Sequence, residues 1–349
     1  MADKLSSKKH DHILKNRIIP AVLGAAQPAS GQPTMALLGG QPGAGKGGVR
    51  NQLKQVMASA VEIDIDELRI YHPDYLAFVK ENSATAASRV QEDCSEWAGE
   101  VFAEAIKRRL NVIYDGTLSV SSKATSMAKS ASKAGYGVEV HVVATSSDVS
   151  EQGVMGRFEE ANEAWTADPT TNAQPRSVPA RIQKAAYDNI PDTLEDLCKS
   201  GVVSRMRIAD RSGTPACDLK GKAAVRRDGP KQAPQALKEQ RNRPWTADEI
   251  AEYETRAKKI VKLMEGRNAP KKERDKVEAA QGDVVATRKQ ELKADQKLKD
   301  DWVRSFAKFD VSTLDNLQQP PVKENKVIRL PSDEASDDKS GMVVSGVTI

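Results

Sequence analysis

Short apolar runs and longer stretches of helical period alternate along the first two thirds of the chain. Met35–Leu38 is a brief apolar run that leads straight into glycines, and Ala60–Ile65 and Asn111–Tyr114 are two more of the same kind. Gly137–Ala144 alternates and is β-branched at Val138, Val140, Val142 and Val143, which predicts a fourth strand; Arg205–Ala209 predicts a fifth. Between them, Thr85–Leu110 sets Val90, Trp97, Val101, Phe102, Ala105 and Ile106 near a helical period, and Val120–Ala134 and Val149–Trp165 also read as helices. Ile13–Leu23 predicts a short helix before the first strand, and Gln27–Pro33 a loop. Short apolar strands separated by helices predict an α/β fold, a parallel sheet covered on both faces with right-handed crossovers. Ligands in such folds bind at the carboxyl ends of the strands.

The pattern changes near residue 228. Arg226–Arg243 is rich in Lys, Arg, Gln and Pro. Trp245–Gly266 reads as a helix with Thr246 as N-cap, Glu249 completing a capping box and Gly266 as the stop. Lys271–Phe306 mixes both charges and predicts a solvated helix or helical hairpin, and the chain from Pro320 reads as a flexible tail. The expected organisation is an N-terminal helix and linker (1–34), an α/β domain (35–228), a charged helical extension (229–310) and a tail (311–349).

Composition narrows the class. Hydrophobic residues make up 39% and charged residues 29%, as in a water-soluble globular protein. No apolar run approaches the ~20 residues that span a bilayer, and Met1–His12 lacks the apolar core of a signal peptide. A cytoplasmic location without membrane attachment is expected. Cys94, Cys198 and Cys217 are far apart, so reduced thiols are expected. A net charge of +4 does not call for a nucleic-acid partner, and the acids and bases of Trp245–Asp310 nearly balance.

The strongest chemical signal is Gly40-Gln41-Pro42-Gly43-Ala44-Gly45-Lys46, which follows a predicted strand and precedes a helical pattern (Val49, Leu53, Val56, Met57). This is the setting in which G-x-x-x-x-G-K forms a phosphate loop. Its glycines let backbone N–H groups curl round phosphates at a helix N-terminus, and Lys46 reaches the β and γ phosphates. The plainer alternative is a glycine-rich turn before a lysine. The usual next residue is Ser or Thr, whose hydroxyl binds Mg²⁺; here Gly47 and Gly48 follow. Magnesium would then rely on water, phosphate oxygens and nearby carboxylates.

Several segments together resemble the zeta toxin family, the kinase toxins of bacterial toxin–antitoxin systems. Leu38–Lys46 is similar to that family's phosphate loop, Ile63-Asp64-Ile65-Asp66-Glu67 with His72-Pro73 to its second-strand motif, and Asp115-Gly116-Thr117 to its third-strand motif. Ile190–Leu194 and Gly201–Gly213 resemble its later part, so the likeness covers about residues 15 to 215. It implies a P-loop kinase-type fold and transfer of phosphate from ATP, with Mg²⁺, to a sugar hydroxyl of a nucleotide sugar, typically UDP-N-acetylglucosamine. It also implies a cognate antitoxin that occludes the nucleotide site.

The resemblance and the chemistry of phosphoryl transfer assign roles. Asp66, just beyond the second strand, is the expected catalytic base, and Asp66 and Asp115 the expected metal carboxylates. Asp64 reads as structural or as support for the metal. Arg157 and Arg176 stand at the family's two arginine positions, as cationic clamps on the moving phosphoryl group. The segment between them, Thr166–Val178, reads as a lid. Glu100, Asp115 and Thr117 are the expected acceptor-binding residues; the family's arginine after this threonine is replaced by Leu118-Ser119. Gly40 to Gly48 and Arg211, which would stack on adenine, complete the nucleotide site. His72 reads as a packed turn residue, His141 as a sheet histidine, His10 and His12 as part of a disordered terminus, and Trp245 and Trp302 as docking residues of the C-terminal helices. Two other functions fit the same motifs: a P-loop kinase for another nucleotide or cofactor, and a catalytically weak nucleotide binder that acts on a partner through its C-terminal helices.

Overall fold

The apolar run at residues 35–38 lies at the centre of the sheet. In the computed structural model, which describes residues 4–57, 59–168 and 175–307, β1 (Thr34–Gly39) buries both of its faces. Met35 and Leu37 point into one core, Ala36 and Leu38 into another on the opposite side. This is the two-residue alternation of a strand covered on both faces, which reads in sequence as an unbroken apolar run.

The elements follow in chain order. A helix starts at α1 (Ser7–Ile13), passes through a π-helical turn at Leu14–Ile18 and ends as α2 (Ile19–Leu23). After β1 come α3 (Lys46–Val56), β2 (Val61–Asp64), α4 (Ile65–Leu68), α5 (Tyr75–Arg89), α6 (Gln91–Lys107), β3 (Val112–Asp115), α7 (Ser121–Lys133), β4 (Gly137–Val143) and α8 (Ser147–Ala167). Then follow α9 (Ala180–Lys199), β5 (Arg205–Ala209), β6 (Pro215–Lys220), α10 (Lys222–Asn242), α11 (Ala247–Gly266) and α12 (Lys271–Ala307). The strand order is β2-β3-β1-β4-β5-β6; all neighbours are parallel except β6, which pairs antiparallel with β5. The fold is thus the α/β, P-loop kinase-type sheet with C-terminal helices. The connections after β1 and β3 leave in opposite directions, so the crevice between these strands is the topological switch point.

Several expectations need correction. His10 does not belong to a disordered terminus. It is buried in α1, its ring stacks on Trp97 at 5.1 Å, and its nitrogens meet Asp93 at 3.2 Å and Glu100 at 2.9 Å. Burial alone would lower its pKa, but Glu100 and Asp93 outweigh that and raise it. The long helix expected from Thr85 is two helices that break at Val90. Of the two forms expected for the stretch from Lys271, it takes the single helix. Trp245 is buried against Tyr253, as its docking role requires, whereas Trp302 is 62% exposed. Residues 169–174 of the lid segment, and the whole of the tail, lie outside the described residues.

The composition shift at residue 228 lies inside α10, which packs on α9, β6 and β5. Its buried residues are Val225, Gly229, Ala233, Leu237 and Arg241, one every four positions. The chain divides by its contacts into two compact units, Met1–Gln296 and Lys297–Ile349. All the described strands and the candidate site lie in the first.

Candidate active site

The phosphate loop is shaped by its glycines. Gly40, Gly43 and Gly45 have φ of +146°, +81° and +89°, values that side chains disfavour. A Cβ on Gly43 would sit 1.9 Å from the carbonyl oxygen of Ser150, so the loop is pressed directly on the backbone of α8. Ala44 is buried, and its N–H donates to Gln41 O at 3.0 Å. Beyond Pro42 and Gly45 the chain enters α3, whose first turn holds Lys46, Gly47 and Gly48. Nothing lies within 4 Å of a Cβ built on Gly47, while one on Gly48 would meet the Arg211 carbonyl at 3.0 Å.

Lys46 turns towards the end of β3. Its ammonium donates to Gly116 O at 2.9 Å and pairs with Asp115 at 3.0 Å. Asp115 is buried and stands beside Asp64 in the β2–β3 register. Arg50, one helical turn after Lys46, reaches Glu62 at 2.6 Å, Asp115 at 3.8 Å and Asp64 at 3.9 Å, and Lys54 also pairs with Glu62. Three carboxylates at adjoining strand ends are thus balanced by three cations of one helix.

Asp64 caps α4 by accepting the Asp66 N–H at 2.8 Å. Burial, followed by repulsion from Asp66 and Asp115, pushes its pKa up to about 6. Asp66 carries the opposite balance. Burial pushes it up, but Arg69, Arg176, Lys46 and Arg157 together hold it below the usual carboxylate range. Its direct partners are Arg69 at 2.6 Å and Arg176 at 3.2 Å. Arg157 on α8 feels both Arg176 and Asp66; partial desolvation of its guanidinium, followed by Arg176, lowers its pKa. The structure therefore gathers Lys46, Asp66, Asp115, Arg157 and Arg176 around the loop, at the carboxyl ends of β1, β2 and β3.

The other expected residues lie as follows. Thr117 shares a hydrogen bond with Ser119 at 2.7 Å, in a turn where Leu118 adopts a positive φ of 53°. Glu100 is half-exposed, and its partner is His10. Arg211 lies along the other flank of the phosphate loop, its Nε 2.6 Å from where a Cβ on Gly45 would be. That flank opens into a cavity of about 530 Å³, within the range of small-molecule sites, between Gly45, Gly48 and Arg211 on one side and Trp245, Glu252 and Arg256 on the other. A third of the lining residues come from α11 and its approach.

Beside the loop, Glu62, Asp64 and Asp115 could hold a cation together, each offering an oxygen within 4.8 Å of the others. Asp66 instead faces arginines. Burial and the neighbouring Asp66 and Asp115 raise the pKa of Asp64, and these oxygen donors fit a divalent ion. Sequence reasoning passed over Arg50, Glu62, Arg69 and Arg241. Arg50 and Arg69 had a signal, since each lies one helical turn beyond a motif residue.

No described helix is long and apolar enough to cross a membrane. The family profile described as Zeta toxin matches residues 21–218. The zeta toxin of Enterococcus hirae is 27% identical over 182 residues, covering 52% of this chain and 62% of that protein. The toxin PezT of Streptococcus pneumoniae is 26% identical over 193 residues, covering 55% of this chain and 74% of PezT. The match thus spans less than two thirds of the length of the Enterococcus relative. A solved structure from the PezAT chromosomal toxin–antitoxin system of S. pneumoniae shares the fold, with a TM-score of 0.62 at 21% identity over 75% of this chain and 99% of that one.

Proposed function

Because the chain belongs to the zeta toxin family, we propose that it transfers the γ-phosphate of ATP to a hydroxyl group of a small molecule, with a nucleotide sugar such as UDP-N-acetylglucosamine as acceptor. The observation that carries this reading is the exchangeable ion pairing around the phosphate loop: Lys46 rests on Asp115, and Arg176 on Asp66. Phosphates entering the loop compete for both cations. As Arg176 moves to the γ-phosphate, Asp66 loses a counter-charge and becomes a better proton acceptor. The acceptor oxygen then bonds to the γ-phosphorus as the bond to the β–γ bridging oxygen breaks. Its proton passes to Asp66, and ADP leaves. Arg157 offsets charge on the transferring group. Adenine and ribose fit the cavity beside Arg211, and Asp115, Thr117 and Glu100 serve acceptor binding. Glu62, Asp64 and Asp115 would hold Mg²⁺, which supplies further neutralisation of phosphate charge.

Incubating the purified chain with ATP, Mg²⁺ and a panel of nucleotide sugars, nucleotides and cofactors tests the reading and identifies the acceptor. A phosphorylated nucleotide sugar that disappears with Asp66→Ala is expected. In a bacterial host without an antitoxin, expression should arrest growth, and Lys46→Ala should relieve the arrest. Co-expression of a cognate antitoxin should do the same, the partner covering the nucleotide site.

Gly47 favours a second reading, a nucleotide-binding protein of weak catalysis that acts through its C-terminal helices. The space around Gly47 admits a side chain, so Gly47→Ser restores the missing hydroxyl without a clash. On the kinase reading it raises Mg²⁺-dependent turnover. ATP binding with no turnover of any small molecule, in either variant, would select the second reading.

A further inference from the structure

The phosphate loop is tied to an arginine from far along the chain. Arg241, at the end of α10 and beyond the stretch matched by the family profile, is 5% exposed. Its guanidinium donates to Gln41 Oε1 at 3.1 Å and to the Tyr187 carbonyl at 2.8 Å, and lies over the Tyr187 ring at 3.8 Å. Gln41 is fully buried, and its amide nitrogen donates to Thr145 O at 2.7 Å. The Thr145 hydroxyl in turn donates to Ala44 O at 2.8 Å. Both ends of the turn in the loop are therefore fixed by buried hydrogen bonds, one of them charge-assisted.

The charge itself needs a reason. A buried guanidinium is ordinarily matched by a carboxylate, because desolvation is costly. Among the described residues none lies within ion-pair distance of Arg241, and its Nε has no hydrogen-bond partner. Burial accordingly pulls its pKa down to about 10. An apolar residue would have joined α10 to α9 at less cost. The group that gains from an uncompensated cation here is an anion held in the adjacent loop.

We propose that Arg241 is a positioning residue for the phosphate loop: it fixes Gln41 so that the loop's N–H groups stay curled for polyphosphate, and it lends the cradle positive charge. The identity of the anion rests on the kinase reading above; the tether does not. The helical extension is then part of the nucleotide site.

The test uses the full chain with Arg241→Met, Arg241→Lys and Gln41→Leu. Three quantities are read: the melting temperature, hydrogen exchange in peptides covering residues 40–45, and calorimetric affinities for ATP and adenosine. Arg241→Met should keep a cooperative melt and speed exchange in the loop. It should weaken ATP binding about tenfold, the scale of one lost charge-assisted hydrogen bond, and weaken adenosine binding much less. Gln41→Leu should do the same, and the double variant should lose no more than either single. Arg241→Lys, which keeps the charge and loses the planar donor, should fall between. Unchanged loop exchange and ATP affinity in a folded Arg241→Met or Arg241→Lys protein overturns the proposal. Should the wild type bind no ATP, the kinase reading fails by itself, and loop exchange still decides the tether.

Discussion

Asp64 and Asp66 sit two positions apart and titrate in opposite directions, because one faces carboxylates and the other guanidinium groups. The folded pKa of Asp64, about 6 against an ordinary 3.8, means that the folded state binds more protons in this window. Its contribution to stability therefore falls as pH rises from about 4 to about 6. Asp64→Asn keeps the cap on α4 and removes the titration. In magnesium-free buffer its stability relative to wild type should rise across that window by up to about 3 kcal/mol, measured by urea unfolding at pH 4 and pH 7. A constant difference between the two proteins would refute the shift. The glycines make a second contrast. Gly43→Ala combines a positive φ with a 1.9 Å clash, and should cost more than about 2 kcal/mol; Gly47→Ser should change the melting temperature little. At this scale the site was partly legible. Asp66, Asp115 and Lys46 follow strands, and strand ends converge in a parallel sheet. Whether a carboxylate faces a cation or another acid depends on neighbours brought by other strands, so the metal-type cluster formed by Glu62 and Asp64 with Asp115 could not be read from spacing.

Among the helices, α11 shows how local chemistry fixes a boundary. Thr246 accepts the Glu249 N–H at 3.2 Å and Glu249 accepts the Thr246 N–H at 2.8 Å, the capping box that the sequence announces. Thr246→Ala should destabilise by about 1 kcal/mol, seen as a lower melting temperature and faster exchange in the first turn; no change would mean that packing of Trp245 alone holds this end. The strands with apolar runs were equally legible. β6 was not, because an edge strand that begins with proline and buries none of its residues carries no alternating pattern. α10 was hidden for another reason. Pro230 and Pro234 argue against a helix, and its buried stripe is made of a valine, a glycine, an alanine, a leucine and an arginine. Gly229 belongs to that stripe because a Cβ there would lie 2.6 Å from Cys198 Sγ, so α10 and α9 cross in close contact. Spacing alone, every fourth residue from Val225 to Arg241, held the signal.

For the molecule as a whole, the family match ends at residue 218 but the fold does not. α10 covers α9, β5 and β6 with Val225, Ala233 and Leu237. α8 reaches the later helices through Gln152, which donates to Tyr253 O and to Gln281, each at 2.9 Å. A chain stopped after Gly221 should therefore show no cooperative thermal transition, by calorimetry or circular dichroism. A sharp melt would show that the matched segment folds alone. The composition shift near residue 228 is one of charge, which reports the solvent side of α10, not the side it packs with. The Gln41–Arg241 tether has a consequence in time. Its partners are 200 residues apart, and synthesis runs at about 5–20 residues per second, so the loop leaves the ribosome roughly 10–40 s before the arginine that holds it. Until Arg241 has been made, a growing chain would thus carry a phosphate loop without its tether.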